Sequence, residues 1–347
     1  MILTKKIALK WLCITIACML LLAATVTYLF DPFFQYHEPY FGLHKVYYNR
    51  DYQVVGSVRN FSYDSVLLGS SVAENFDSEV IDAMYDCNTL KVIRASGSTA
   101  DLLSYLQLAH EKQDLKNVIW CLDIFALTAP LEVTLASDPA LQYLHTDTIL
   151  DDATYLFNKD VLFQEIPTYI ASSFLHKNVD GKGYDWSEGK VFGAQKALQA
   201  YEKPESALPA QPHDTESEYL QENLRNIEQE LSAHPDIRYT ILFPPYSKLW
   251  WDCGYTNGIS DLYFEVIETA LPRLCSYDNV DLYYFQADRE IVLNLDNYMD
   301  MIHYGPWVNQ YMLDCIKEGT HQVTLDRVDS VTLEMREVFR DIVAGAL

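Results

Sequence analysis

Short apolar runs alternate with amphipathic stretches along most of this chain, and the hydrophobic period switches repeatedly between strand-like and helical. The runs Ser65–Leu68, Leu90–Ala95, Asn117–Asp123, Arg238–Phe243 and Val280–Phe285 are brief and nearly all apolar, as strands buried on both faces are. Between and after them the spacing predicts helices over about Val72–Tyr85, Thr99–Lys112, Thr215–Ala233, Ser260–Leu274, Trp307–Lys317 and Thr332–Ala346. Leu220, Leu224, Ile227 and Leu231 make the clearest helical stripe. Five strands alternating with helices predict an α/β domain: a five-stranded parallel sheet in a three-layer α/β/α fold. The alternation breaks over about residues 126–212. There, helical pieces at Thr148–Phe157 and Asp160–Leu175 and a Gly/Lys/Asp stretch at Lys177–Lys190 read as an insertion capping the domain.

The N-terminus has a different pattern. Lys5, Lys6 and Lys10 precede an uncharged apolar stretch from Trp11 to Phe30, about the length that crosses a bilayer. Positive residues before the span put that end in the cytoplasm and the rest outside. A cleaved signal would be followed by small residues, whereas Tyr28-Leu29-Phe30-Asp31-Pro32 is bulky. The expected layout is therefore a cytoplasmic N-terminus (1–10), a single transmembrane anchor (11–30), an irregular, aromatic membrane-proximal segment (31–62) and an extracytoplasmic domain (63–347).

Composition narrows the partners. Lys+Arg number 25 against 49 Asp+Glu, a formal net charge of −24, which argues against a nucleic-acid ligand. Cys13 and Cys18 fall in the span, and Cys87, Cys121, Cys253, Cys275 and Cys315 lie outside it with no C-x-x-C pair. In an oxidising compartment Cys253 with Cys275 is the expected bridge, because one helix separates them. No metal-finger spacing, phosphate loop, zincin motif or dinucleotide glycine signature occurs, so neither a metal nor a cofactor is expected.

In parallel sheets the ligand site lies beyond the carboxyl ends of the strands, where Ser71, Gly97, Asp123 and Tyr246 all fall. Gly69-Ser70-Ser71 ends an apolar strand and delivers a serine to the next turn, whose free N–H groups suit a developing negative charge. Serine also caps helices, so the motif alone is no proof of chemistry. A serine nucleophile needs a base. Asp300 and His303, three residues apart, supply an imidazole and a carboxylate to orient it, and no other His has an Asp three residues before it. The N–H groups of Ser71 and Gly97, with Asn75 one helical turn on, are the candidate oxyanion donors. Asp123, just past its strand, is a candidate to hold backbone N–H groups or the substrate; an ionised carboxylate facing an oxyanion would repel it unless protonated. Pro244–Lys248 is a candidate pocket lining, and Trp250 and Trp251 are candidate sugar-stacking rings, with turn and packing as the simpler accounts. His37 and His44 have no expected chemical role.

In this order, from roughly Tyr63 to Gly319 without the insertion, the motifs resemble those of the SGNH/GDSL hydrolases. Gly69-Ser70-Ser71 matches the first with Ser70 in place of Asp, Ser96-Gly97-Ser98 the second, and Asp300 with His303 the last. The third departs: the family has Gly-x-Asn-Asp, and this chain has Cys121-Leu122-Asp123-Ile124. The resemblance implies an SGNH/flavodoxin-like fold and an esterase or acyltransferase mechanism with Ser71 as nucleophile. Gly-Ser-Ser behind an N-terminal anchor is most similar to extracytoplasmic envelope proteins of teichoic-acid D-alanylation and polysaccharide O-acetylation. That implies a membrane-bound O-acyltransferase partner and a polysaccharide or teichoic-acid-like acceptor. The alternative is a degenerate member that binds a polymer or such a partner without catalysis; an intracellular flavodoxin-like binder would require the anchor to be absent.

Overall fold

The computed structural model describes residues 2–131, 141–146, 148–175, 186–187, 189–204 and 206–345. They fall into two units, Met1–Phe61 with Leu135–Gly183, and Ser62–Thr134 with Tyr184–Leu347.

The second unit is built on one mixed sheet. Its strands are β1 (Ser65–Gly69), β2 (Thr89–Ile93), β3 (Asn117–Cys121), β4 (Arg238–Phe243), β5 (Val280–Tyr284) and β6 (Gln322–Val323). They lie in the order β2-β1-β3-β4-β5-β6. The first five pair in parallel, and β6 joins β5 antiparallel. The sheet thus has six strands where the sequence predicts five, because a two-residue edge strand leaves no periodic signal. β1 and β2 are buried along their whole length, which explains why they read as continuous runs without alternation. Leu220, Leu224, Ile227 and Leu231 are the buried stripe of the helix Asp214–Ala233. Strand order reverses between β1 and β3, so the crevice beyond their carboxyl ends is the natural ligand position.

Several predicted elements are different in the structure. The helix expected over Val72–Tyr85 is a 3-10 turn, Ser71–Ala73, followed by a shorter helix, Ser78–Tyr85. The Asp77 carboxylate caps that helix by accepting the Glu79 N–H, which starts it late. A helix at Lys248–Thr256 was hidden behind Pro244-Pro245; Ser247 caps it. The last helix runs Val328–Val343, and Ala346 lies outside the described residues. So does most of the stretch Lys177–Lys190. Cys253 and Cys275 are both free thiols, which corrects the expected bridge: the Asn257 amide donates to the Cys253 sulfur, and the Cys275 thiol faces the Val323 carbonyl at 3.2 Å.

In the first unit one N-terminal apolar helix, Ile2–Phe30, contains a segment, Lys5–Phe30, long and apolar enough to cross a membrane. The chain after it is irregular, as expected, only as far as Asn49. A helix at Arg50–Asn60 packs so closely that a Cβ on Gly56 would lie 2.2 Å from the Phe33 carbonyl oxygen. Buried Gln53 ties the turns together, its amide donating to the Pro32 and Val46 carbonyls and its oxygen accepting the Tyr48 and Asn49 N–H groups.

Asp31 closes the exit from the long helix. Its φ of 35° lies in the left-handed region, which Asp tolerates better than most residues. Its carboxylate accepts the N–H groups of Gln35, Tyr36 and His37 and the Tyr155 hydroxyl. Burial still pushes this carboxyl up to about 6, against the Tyr36, Tyr155 and Gln35 bonds that pull it down. Asp31→Asn keeps one acceptor oxygen and places an amide against N–H donors. The expected cost is about 1–3 kcal/mol for the donors left unmatched, read as a lower Tm of the full chain in detergent; an unchanged Tm would show that those N–H groups find other acceptors.

Candidate active site

The turn after β1 carries Ser71, the candidate nucleophile. A Cβ on Gly69 would stand 2.5 Å from the Ala73 Cβ and 3.1 Å from that of Cys121, so glycine lets the strand end fold tightly back under the turn. Asn309, on the helix Pro306–Glu318, donates its amide to the Val72 carbonyl at 2.9 Å. The Trp186 indole donates to the Ser71 carbonyl at 2.7 Å. These bonds fix the turn, and the Ser71 N–H at its start donates to no acceptor among the described residues.

Ser71, His303 and Asp300 are brought together in a line. Ser71 Oγ lies 2.8 Å from His303 Nε2, and His303 Nδ1 lies 2.7 Å from Asp300 Oδ2. The other Asp300 oxygen accepts the N–H groups of Ile302 and His303 at 2.9 and 2.8 Å. Burial alone would raise the Asp300 carboxyl; the bonds from the His303 ring and from these backbone groups outweigh it and hold the carboxyl below its ordinary value. An ionised carboxylate only accepts, so His303 Nδ1 carries the proton and Nε2 is left to accept from the Ser71 hydroxyl.

The loop carrying this pair is clamped from beneath. Tyr298 and Tyr304 bridge its two sides, and the Tyr298 hydroxyl donates to the Pro245 carbonyl at 3.0 Å. Ser247 donates to the Met301 carbonyl twice, from its N–H at 3.1 Å and its hydroxyl at 2.7 Å. Pro244–Lys248 therefore supports the loop of Asp300 and His303. Trp251 is fully buried among Tyr263, Phe264 and Phe339, and Trp250 stacks on Tyr263, so the pair is packing and not a sugar platform. The aromatic rings beside the histidine are others: Trp186 meets the His303 ring edge-on at 5.2 Å, and Phe192 links Trp186 to half-exposed Trp307.

The three supporting candidates have different fates. The Gly97 N–H donates to the Arg94 carbonyl at 2.9 Å, so the oxyanion donor expected there is already occupied by a turn. The Asn75 side chain is buried, and neither end of its amide has a partner among the described residues. Asp123 is buried at the end of β3, with one oxygen accepting from the Tyr246 hydroxyl. Burial pushes its carboxyl from the ordinary 3.8 up to about 6, opposed by the Tyr246 and Ser70 hydroxyls and by His303.

Away from this site, His110, Glu230 and His234 form the one metal-like cluster among the described residues. Glu230 Oε1 accepts from the Tyr239 hydroxyl and lies 2.7 Å from His110 Nε2. The two imidazoles are stacked, centroids 3.8 Å apart and planes 12° from parallel. An ion about 2.1 Å from both nitrogens would sit far out of both ring planes, which disfavours a shared metal. The cluster is a hydrogen-bonded brace between the helices Thr99–Lys112 and Asp214–Ala233. His37 is likewise structural, its ring nitrogens meeting the Glu38 and Tyr28 carbonyls, and His44 bonds Ser173 through its N–H.

Because the Asp123 carboxyl is raised on folding, the native state holds its proton more tightly than the unfolded chain does. Its stabilising contribution is present at acid pH and is lost as pH rises through about 6. Asp123→Asn should therefore narrow the drop in Tm between about pH 4 and about pH 8, while still accepting the Tyr246 hydroxyl. An unaltered drop in the variant would mean that Asp123 is ionised in the folded chain at both ends of that range. The chain matches no known family model and no curated protein.

Proposed function

We propose that this chain is a membrane-anchored, extracytoplasmic SGNH-like serine esterase or O-acyltransferase acting on an acylated cell-envelope glycan or polymer. The observation that carries the reading is the unbroken line from Ser71 through His303 to Asp300. The motif order that resembles the SGNH/GDSL hydrolases, the mostly parallel α/β sheet, and the position of Ser71 beyond the end of β1 are in keeping with it. The apolar helix, with Lys5, Lys6 and Lys10 on its N-terminal side, supports an anchor with the main domain outside the cytoplasm. Trp186, Phe192 and Trp307, leading outward from His303, suit the apolar faces of sugar rings and favour a glycan acceptor.

In this mechanism Ser71 Oγ attacks the ester carbonyl carbon as its proton passes to His303 Nε2. Asp300 holds the opposite ring proton and stabilises the imidazolium. The carbonyl oxygen becomes an oxyanion facing the Ser71 N–H and the Asn75 amide. Collapse breaks the ester C–O bond, and His303 returns its proton to the departing alkoxide, leaving an acyl group on Ser71. A water or a polymer hydroxyl then gives its proton to His303 and attacks the acyl carbon. The product leaves with the acyl group, and Ser71 regains its proton.

A serine-directed fluorophosphonate should label the full-length chain in detergent, with labelling abolished in Ser71→Ala and His303→Ala. Labelling that survives Ser71→Ala overturns the mechanism, and no labelling of the wild type assigns the protein to the binding alternative that Asp123 favours. Asn75→Ala should leave Ser71 able to react while lowering ester turnover by about 10²–10³-fold, the usual loss for one oxyanion donor. Unchanged turnover would remove Asn75 from the site.

A further inference from the structure

In the first unit, residues 161–175 form one continuous helical stretch, a π-turn at Val161–Glu165 running into a helix at Ile166–Phe174. Its inner face is accounted for. Val161, Ile166, Tyr169 and Ser173 are buried; the Tyr169 hydroxyl donates to the His44 carbonyl and Ser173 accepts the His44 N–H. The outer face carries a second apolar stripe beside exposed Gln164 and Thr168. Phe163, Pro167, Ala171 and Phe174 recur at helical spacing and are all exposed, Phe163 at 72% and Phe174 at 75%, with Leu175 beside them at 65%. Glu165 is the only charged residue in the stretch. A helix with one apolar stripe buried and a second one exposed belongs where the second stripe is also kept from water.

Its position says what covers the outer face. Val161–Glu165 packs against the helix Ile2–Phe30, as does the neighbouring helix Ile149–Leu156. The long helix loses exposure only in its last turns, from Ala23 onward; before that it is bare. The turn that carries Phe163 thus packs on the helix that contains the apolar span Lys5–Phe30, and the end of that span is marked by the exposed ring of Tyr28 and, just after it in the chain, those of Tyr40 and Phe41. Exposed aromatic and apolar side chains at the end of a span are the composition of the bilayer interface. No Lys or Arg lies in the stretch, so attraction to anionic headgroups is not what would hold it there.

We propose that Val161–Phe174 lies on the outer surface of the bilayer that Lys5–Phe30 crosses, with the Phe163–Phe174 stripe immersed among the upper acyl chains. This rests on the span reading of the N-terminal helix and is independent of the serine chemistry. The test is photo-crosslinking of the full-length chain in phosphatidylcholine vesicles containing a lipid with a diazirine near the glycerol end of one acyl chain, followed by peptide mapping. Adducts are expected on peptides carrying Phe163 and Phe174 as well as on the Lys5–Phe30 helix. The double variant Phe163→Gln/Phe174→Gln, exposed at both positions and so expected to fold, should lose the first set and keep the second. Wild-type adducts confined to Lys5–Phe30 overturn the proposal and leave the stripe to a protein partner. Adducts on neither segment overturn it together with the span.

Discussion

Parallel pairing of β1 with β3, and of β3 with β4, is the constraint on which the site depends. Strands buried on both faces and running the same way must all end on one edge, and whatever follows each of them is delivered to that edge. Ser71 follows β1, Asp123 follows β3 and Tyr246 follows β4, so residues far apart in sequence meet without any loop having to reach. The loop of Asp300 and His303 then needs only to be pinned to that edge, which Ser247 and Pro245 do through main-chain carbonyl groups.

Asp123 is the discordant residue. Its burial is costly for a carboxylate, yet the surrounding groups do not neutralise it with a cation; they offer hydroxyls from Tyr246 and Ser70 and the ring of His303. A protonated Asp123 is a hydrogen-bond donor and an ionised one an acceptor, so a single proton changes the polar character of the buried end of β3, where an amide would hold it constant.

What the sequence revealed and what it hid divide along physical lines. Buried strands were legible because burial on both faces leaves no polar residue inside them, and Ser71, Asp300 and His303 were legible because they share a local motif or spacing. The helix Arg50–Asn60 was not, because its buried residues run Gln53, Val54, Val55, Gly56, Ser57 and Val58, and the polar and glycine positions, which make main-chain bonds or close approaches, break the hydrophobic period. The turn at Ser71 was merged with the following helix, since nothing in Val72–Asn75 announces the Asp77 cap. Trp186, Ser247 and Asn309 escaped for a common reason: each acts on a distant backbone carbonyl, and such contacts leave no spacing to read.

The helix Pro306–Glu318 begins three residues after His303, and through Asn309 it grips the turn that holds Ser71. One helix is thus joined by chain to His303 and by a side-chain bond to the turn of Ser71. The 2.8 Å approach of Ser71 to His303 is closed into a ring of contacts, so that loss of Asn309 would open it from the side opposite the Ser247 clamp.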